Sequence, residues 1–405
     1  MITMQTGPQP ADFADVRATN LAVVLRHLRI NAPCSRADIA AATGLNKATV
    51  SSLVADLIER RLVKETGMTE RRIGRPATML VLDGSPYAAI GLEVNADYMT
   101  AVAVDLAGDR LLSWRRAFAG SSSNPGQAAA SIAALAKRAV AKVEKDGRRT
   151  LGLTVGVPGL VDGDGIVRIA PNLRWRDVDL RSAMRKALNE PPYPIEVEND
   201  ANLAVLAEQR YGGFADAANL VYLTGEVGIG AGVICNGHLL RGSRGYAGEF
   251  GHILVDPTGP VCGCGRRGCL EALAGIGAVV SRALPDASAS SPTELEPEVE
   301  EVVRRAKAGD PKVLDVLAET GRHLGYGIAT VANLINPEVV VLGGYFVPLS
   351  PWLIPAAELE LASRSIAPES GGTRIVASHL DLGAAATGGA ARVLDTIDSG
   401  RLPTR

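Results

Sequence analysis

Residues 195–211 read IEVENDANLAVLAEQRY. The run Ile195–Glu198, with β-branched Ile195 and Val197 at alternate positions, has the character of a strand, and Ala201–Tyr211 has the spacing of a helix, so one hands over to the other within three residues. Working outward, Leu151–Val157 is an apolar strand ending in a Pro158-Gly159 turn. Upstream lie three strand-like runs (Ala88–Val94, Met99–Leu106, Arg110–Phe118) and an alanine-rich, helix-like stretch at Gly126–Glu144. A second group starts at Asn219–Thr224 and resumes with Val339–Leu342, a helix-like segment, Arg374–Ala377 and a closing helix near Ala384–Leu394. Strands alternating with helices predict a layered α/β body, and the division into two groups predicts two lobes. Between helices, ALPDASASSPTELEPEVE at 283–300 reads as a solvated excursion.

The first 85 residues read differently. Leu21, Val24, Leu25 and Leu28 recur at helical spacing, giving an amphipathic helix over 17–30. Ser35-Arg36-Ala37-Asp38 has the form of a capping box, Thr43-Gly44 of a helix stop, and Asn46 of a start. Val50, Leu53, Val54, Leu57 and Ile58 make the buried stripe of that third helix, which turns Lys47, Ala48, Thr49, Ser51 and Ser52 outward. This is the outline of a helix-turn-helix. Leu62–Glu65 and Ala77–Leu82 then read as two strands around a basic loop, TGMTERRIGRP, as in a wing.

At about 150 residues per domain, 405 residues hold two or three folded units. The net charge of -2 hides an asymmetry: residues 1–85 carry 11 Lys/Arg against 8 Asp/Glu. Between Arg60 and Arg75 there are six basic residues and two acidic ones, which suits a phosphate backbone. The start MITMQTGPQPADFAD lacks a basic n-region and an apolar h-region, so no secretory signal is expected and the compartment is expected to be the cytoplasm. In the charge-free run Val339 to Ala357, Gly343, Gly344, Pro348, Pro351 and Pro355 are expected to break any helix, leaving no membrane span.

Three of the five cysteines fall within eight residues, Cys262-Gly-Cys264-Gly-Arg-Arg-Gly-Cys269. With His252 they supply three thiolates and one imidazole, a set that closes a tetrahedral zinc shell and leaves no open position. A structural zinc is the expectation. Gly225-Glu226-Val227-Gly228-Ile229-Gly230-Ala231-Gly232 reads two ways, as a close backbone approach to a phosphate or as a glycine-rich hairpin. Glu198-Asn199-Asp200, at a strand-to-helix junction, offers groups to grip sugar hydroxyls, but Asp200 reads at least as readily as the cap of the helix. Glu249 and Glu271, flanking the metal set, read equally as surface charges.

Together these segments resemble the ROK family (repressor, open reading frame, kinase), in its regulator branch. The resemblance rests on LNKATVSSLVADLIERRLV (45–63), RRIGRPATMLVL (71–82), GVPGLVD (156–162), PNLRW (171–175) and ENDANLAVLAE (198–208). It continues through TGEVGIGAGVICNGHLLRG (224–242), GYAGEFGHILVD (245–256), CGCGRRGCLEALAG (262–275) and VVLGG (340–344). Within that branch, GLEVNADYMTAVAVDLAG (91–108) is most like the xylose-type repressors. The resemblance implies an α/β, two-lobed actin/hexokinase-like (ribonuclease H-like) body, preceded by a winged helix-turn-helix. It implies boundaries at 1–84 (DNA-binding domain), 85–212 (first lobe) and 213–405 (second lobe, with the zinc loop and a closing helix packed back on the first). It also implies sugar contacts at Asn172, Asn199, Asp200, Glu249, His252 and Glu271, with His252 touching both metal and sugar.

The family's kinases would use Asp200 as general base. Their Asp-x-Gly-Gly-Thr phosphate turn, however, is replaced here by Glu93-Val94-Asn95-Ala96-Asp97. Both glycines are gone, and at an effective dielectric of about 20 an anion such as Asp97 held 4 Å from a phosphate charge repels it by about 4 kcal/mol. ATP transfer is therefore not expected, and the chain is read as a regulator rather than an enzyme. The alternative is a glucokinase-like sugar kinase with a DNA-binding arm, and a third reading makes the front domain a protein-interaction module. As a regulator it would place Lys47, Thr49, Ser51 and Ser52 in a major groove and Arg36 near the backbone. Arg71, Arg72 and Arg75 would enter a minor groove, unless they merely solvate the wing. Operator DNA, a small-molecule sugar effector and a homodimer or homotetramer are the implied partners.

Overall fold

The computed structural model describes residues 13–68, 77–118, 124–285, 295–366, 372–380 and 382–403. The N-terminal unit consists of α1 (Phe13–Asn31), β1 (Cys34–Ser35), α2 (Arg36–Thr43), α3 (Lys47–Glu59), β2 (Val63–Met68) and β3 (Thr78–Leu82). Its helix ends are set locally. The Ser35 Oγ accepts from Asp38 N while Asp38 Oδ2 accepts from Ser35 N, a reciprocal capping box. Gly44 takes φ 73°, left-handed, to stop α2, and Asn46 Oδ1 accepts from Thr49 N to start α3. Val50, Leu53, Val54 and Leu57 then pack with Leu25, Leu28 and Ile39. The sheet order β1-β3-β2 makes β2 and β3 the wing hairpin. Arg71, Arg72 and Arg75 lie outside the described residues.

The first lobe contains β4 (Tyr87–Val94), β5 (Tyr98–Asp105), β6 (Arg110–Ala117), α4 (Pro125–Lys145) and β7 (Arg149–Val157). It continues with β8 (Leu160–Val161), β9 (Val167–Ala170), β10 (Trp175–Val178), α5 (Leu180–Ala187), β11 (Ile195–Asn199) and α6 (Asp200–Tyr211). The second contains β12 (Leu220–Gly225), β13 (Ile229–Cys235), β14 (His238–Leu239), α7 (Leu270–Ala274), α8 (Ile276–Ala283), α9 (Leu295–Lys307) and α10 (Pro311–Ile335). After these come β15 (Val339–Gly344), α11 (Phe346–Arg364), β16 (Arg374–Ala377) and α12 (Ala384–Asp398).

Both lobes are built on one plan. The orders β11-β7-β4-β5-β6 and β14-β13-β12-β15-β16 each join a three-strand antiparallel meander to two further parallel strands. The repeated plan brings the C-terminal ends of the parallel strands, where α/β sheets bind ligands, to face each other across a cleft. The last helix, α12, follows the second sheet in sequence yet packs on β4 and β7 of the first. Its approach is close: a Cβ on Gly91 would lie 1.8 Å from Ala386 O, and one on Gly388 would lie 1.7 Å from Leu203 O.

Three local expectations are corrected. Prolines do not break the helix after β15: α11 runs through Pro348, Pro351 and Pro355. Pro348 sits in the first turn, where no amide partner is needed. Pro351 leaves Val347 O without its helical donor, and the Ser350 hydroxyl supplies one at 2.7 Å. Leu349, Leu353, Ala357 and Leu361, buried against α10, hold the rest. Within 283–300, the part from Leu295 onward is helix α9, because Leu295, Val299, Val302 and Ala306 form an apolar stripe. Finally, the cap of α6 is Asn199, not Asp200, which is already the first helical residue.

Candidate functional site

Strand β11 lies at the edge of the first sheet and stops at the cleft, so the first turn of α6 opens onto it. Asn199 fixes that turn: its Oδ1 accepts from Asn202 N at 2.9 Å and its Nδ2 donates to Gly159 O at 3.0 Å. Beneath it Glu198 accepts from Asn199 N and Asn202 Nδ2 and is neutralised by an ion pair with Arg241. Asp200 is left facing the cleft, its Oδ1 accepting from Ala201 N. Removal from solvent, reinforced by the charge of Glu249, pushes its carboxyl up to about 6.

Glycines hold the second lobe against this turn. The run at 225–232, which read both as a phosphate approach and as a hairpin, is a hairpin: it closes β12, turns at 226–228 and opens β13, with Thr224 paired to Gly230. Gly232 comes so near α6 that a Cβ there would lie 2.2 Å from Ala201 O. At the tip, Glu271 Oε2 accepts from Ile229 N at 3.2 Å, and its Oε1 lies 3.4 Å from Cys262 Sγ.

That thiol belongs to the predicted metal set. The ligand atoms of His252, Cys262, Cys264 and Cys269 all lie within 4.8 Å of one another. Cys262 Sγ is 3.7 Å from His252 Nδ1, and Cys264 Sγ is 3.7 Å from Cys269 Sγ. A tetrahedron with bonds of about 2.3 Å to sulfur has edges of about 3.8 Å, so four donors at these spacings surround a point suited to a metal such as zinc. Gly268, at φ 73°, makes the loop possible, since a Cβ there would meet Asp256 O at 1.6 Å. His252 turns Nδ1 to the Cys262 sulfur, while its Nε2 lies 4.0 Å from Glu249 Oε2. The structure thus brings Asp200, Glu249, His252 and Glu271 into one wall with Asn199 at its base. Asn172 is half-buried on the turn Pro171–Leu173 of the β9–β10 arm.

Carboxylates crowd the other half of the cleft. Asn95 Nδ2 donates to Glu226 Oε2 at 3.2 Å, while Tyr98 OH donates to Glu93 Oε1 at 2.8 Å and lies 3.4 Å from Glu226 Oε1. Glu93, Asp200 and Glu226 line one narrow cavity. Burial, with the charge of Asp200, pushes Glu93 up to about 8, and burial with Glu93 raises Glu226 well above the usual carboxylate range. Arg115 lies 4.0 Å over the Tyr98 ring and donates to Tyr345 OH. Beyond it opens a cavity of about 540 Å³ lined by Arg115, Glu296, Tyr345 and Pro348. Sequence reasoning named Asn95, Ala96 and Asp97 here and missed Glu226 as a site residue, although the glycine run contained it.

On the winged unit, Lys47, Ser51 and Ser52 are exposed along the start of α3 and Thr49 is half-buried there. Arg36 is engaged with Glu65 of β2 at 2.8 Å. Residues 89–396 match the ROK family and residues 22–72 the MarR family.

The chain belongs to the ROK family.

This ROK chain is 31% identical over 385 residues to the xylose repressor of Bacillus subtilis (strain 168), covering 95% of this chain and 97% of that one. A solved ROK family transcriptional regulator, described as a homolog of the E. coli MLC protein, superposes with a TM-score of 0.80 at 28% identity, covering 95% of this chain and 98% of that one. A ROK family glucokinase from Streptomyces griseus, solved with glucose and AMPPNP, gives 0.64 at 28% identity. It covers 98% of the glucokinase but 75% of this chain, so the ROK body is common to both and the winged unit is additional.

Proposed function

We propose that this ROK chain is a sugar-responsive transcriptional repressor of carbohydrate genes. The observation that carries this reading is the interlobe contact of Glu226 with Asn95 and Tyr98, set beside Glu93. It fills with carboxylates the turn where a kinase would seat phosphates, while the wall of Asp200, Glu249 and His252 is kept open to a polyol. Carboxylates there accept from adjacent hydroxyls, and a misplaced epimeric hydroxyl leaves a buried partner unpaired. The winged unit supplies the DNA contact: Lys47, Thr49, Ser51 and Ser52 toward base edges or phosphates, Arg36 near the backbone, and the wing arginines Arg71, Arg72 and Arg75 toward a minor groove. Sugar binding changes the spacing of two such units in a homo-oligomer on an operator.

Zinc is the proposed metal of the His252, Cys262, Cys264 and Cys269 set. With four protein ligands it would supply rigidity rather than a reacting water, fixing the rotation of His252 and so the position of Nε2 in the cleft. The proposed site of action is the cytoplasm; among the described residues, no helix is long and apolar enough to cross a membrane.

Gel retardation with the chain's own upstream DNA tests the reading, with D-xylose, D-glucose and N-acetylglucosamine as probes. Salt-sensitive, sequence-selective retardation relieved by one of them is expected. Sequence-independent retardation that no sugar alters would refute it. One observation favours a kinase: Asp200, pushed up to about 6, is tuned as a general base near neutral pH. A coupled ATP assay with a hexose and pentose panel separates the two, since a kinase would turn over at about 1–100 s⁻¹.

A further inference from the structure

Two helices lead from the cleft to the winged unit. Helix α6 begins with Asp200 and, at 1.5 Å per residue, its 12 residues extend about 18 Å to the turn that carries Arg210. Helix α12 begins with Ala384 and Ala385, which line the same narrow cavity as Asp200 and Glu93, and its 15 residues extend about 22 Å to Asp398. The two are tied together at both ends. Near the cleft, Gly388 rests directly on the Leu203 backbone, an approach no side chain would allow. At the far end, Arg210 donates from Nη1 to Asp395 Oδ1 at 2.7 Å and from Nη2 to Asp398 Oδ2 at 2.9 Å.

Asp398 is shared with the winged unit. Arg29 of α1 grips it by two parallel bonds, Nε to Oδ2 at 2.8 Å and Nη2 to Oδ1 at 2.7 Å, and its Nη1 donates to Leu106 O at 3.0 Å. Both arginines and the aspartate are shielded, with side chains 17%, 14% and 17% exposed for Arg29, Arg210 and Asp398. A paired, forked geometry in a partly dry setting tolerates little sliding. Around it, Leu21, Val24, Leu25 and Leu28 of α1 share one core with Leu394 and Ile397 of α12. A Cβ on Gly400 would meet Ala18 O at 2.2 Å. Helix α1 is therefore seated on the end of α12.

We infer that Arg29, Asp398 and Arg210 form a positioning clasp through which the winged unit reads the state of the sugar cleft. The inference rests on the regulator reading above. Ligand gripped by Asp200 moves the start of α6; α12, locked to it at Gly388 and Arg210, moves with it; Asp398 carries the displacement to Arg29 and hence to α1. The clasp touches neither sugar nor DNA, so its role is in coupling the two.

Arg29→Met and Arg210→Met sever the clasp on either side, and Arg29→Lys keeps the charge without the fork. Melting curves establish that each variant folds, with Asp398→Asn as the substitute for any that does not. In retardation assays with upstream DNA and the three sugars named above, both methionine variants should bind DNA without sugar within about twofold of wild type. They should lose roughly 5-fold or more of the sugar-induced change in affinity, the scale of ordinary allosteric coupling, with Arg29→Lys between. A second arm uses DNA alone, because coupling is reciprocal. Adding upstream DNA should alter hydrogen exchange at residues 198–206 in wild type and leave it unaltered in Arg29→Met. A methionine variant with the full wild-type sugar response and exchange change overturns the clasp but not the regulator. Wild-type protein that ignores DNA, or retains it under every sugar, overturns both.

Discussion

The two sides of this cleft descend from one architecture and differ in how their carboxylates are balanced. On the proposed sugar side each acid has a reason for its place: Glu198 is neutralised by Arg241, Glu271 is held by a backbone amide, and Asp200 stands open beside Glu249 and His252. On the opposite side Glu93 and Glu226 converge through Tyr98 and Asn95, and Glu93 Oε2 has no hydrogen-bond partner among the described residues. A site for a polyphosphate needs small residues and positive or dipolar groups. The difference teaches that one half of a cleft can be closed by a contact between lobes while the other stays open: here Glu226 of the second lobe joins Asn95 and Tyr98 of the first.

The largest effect should come from the sugar side. Asp200→Ala should abolish the effect of sugar on DNA retardation while leaving sugar-free retardation intact, and a fully responsive variant would break the comparison at its root. Next comes the scaffold of that side. Cys264→Ser should lower zinc content and stability together, by on the order of 4 kcal/mol if the metal is lost, read by metal analysis and melting; unchanged metal content would remove the ligand assignment.

The acid side predicts a pH dependence. Because Glu93 is pushed up to about 8, the folded chain keeps a proton that the unfolded chain releases above the ordinary glutamate range. Stability should therefore fall as pH rises through that window toward 8. Glu93→Gln should flatten this slope and exceed wild type at pH 8 by at least about 1.4 kcal/mol, one pKa unit. Wild-type protein equally stable at pH 6 and pH 8 in melting curves would contradict the upward shift of that carboxyl. The smallest effect belongs to the winged unit: Lys47→Ala should weaken DNA binding to all sequences alike and reduce the salt slope by about 1.

Features encoded within a few residues were legible in the sequence. Ser35 with Asp38, Gly44 and Asn46 each specify a helix end through a contact at most four residues away. The cluster of His252, Cys262, Cys264 and Cys269 was legible because three thiols and an imidazole at that spacing have few uses other than holding a metal. Glu226 was not, because its partner Asn95 is 131 residues distant and its neighbours advertise only a glycine turn. Neither was α11: three prolines read as breakers, and only the Ser350 hydroxyl and the packing on α10 compensate for them. Whether Asn199 or Asp200 caps α6 turned on a single residue of backbone torsion, which composition does not encode.

The account stands or falls on calorimetry of the intact chain with D-xylose, D-glucose and N-acetylglucosamine, with and without Mg·ATP. It predicts heat of binding for at least one sugar, none for Mg·ATP, and no phosphorylated product in the mixture. Saturable binding of Mg·ATP accompanied by a sugar phosphate would contradict it.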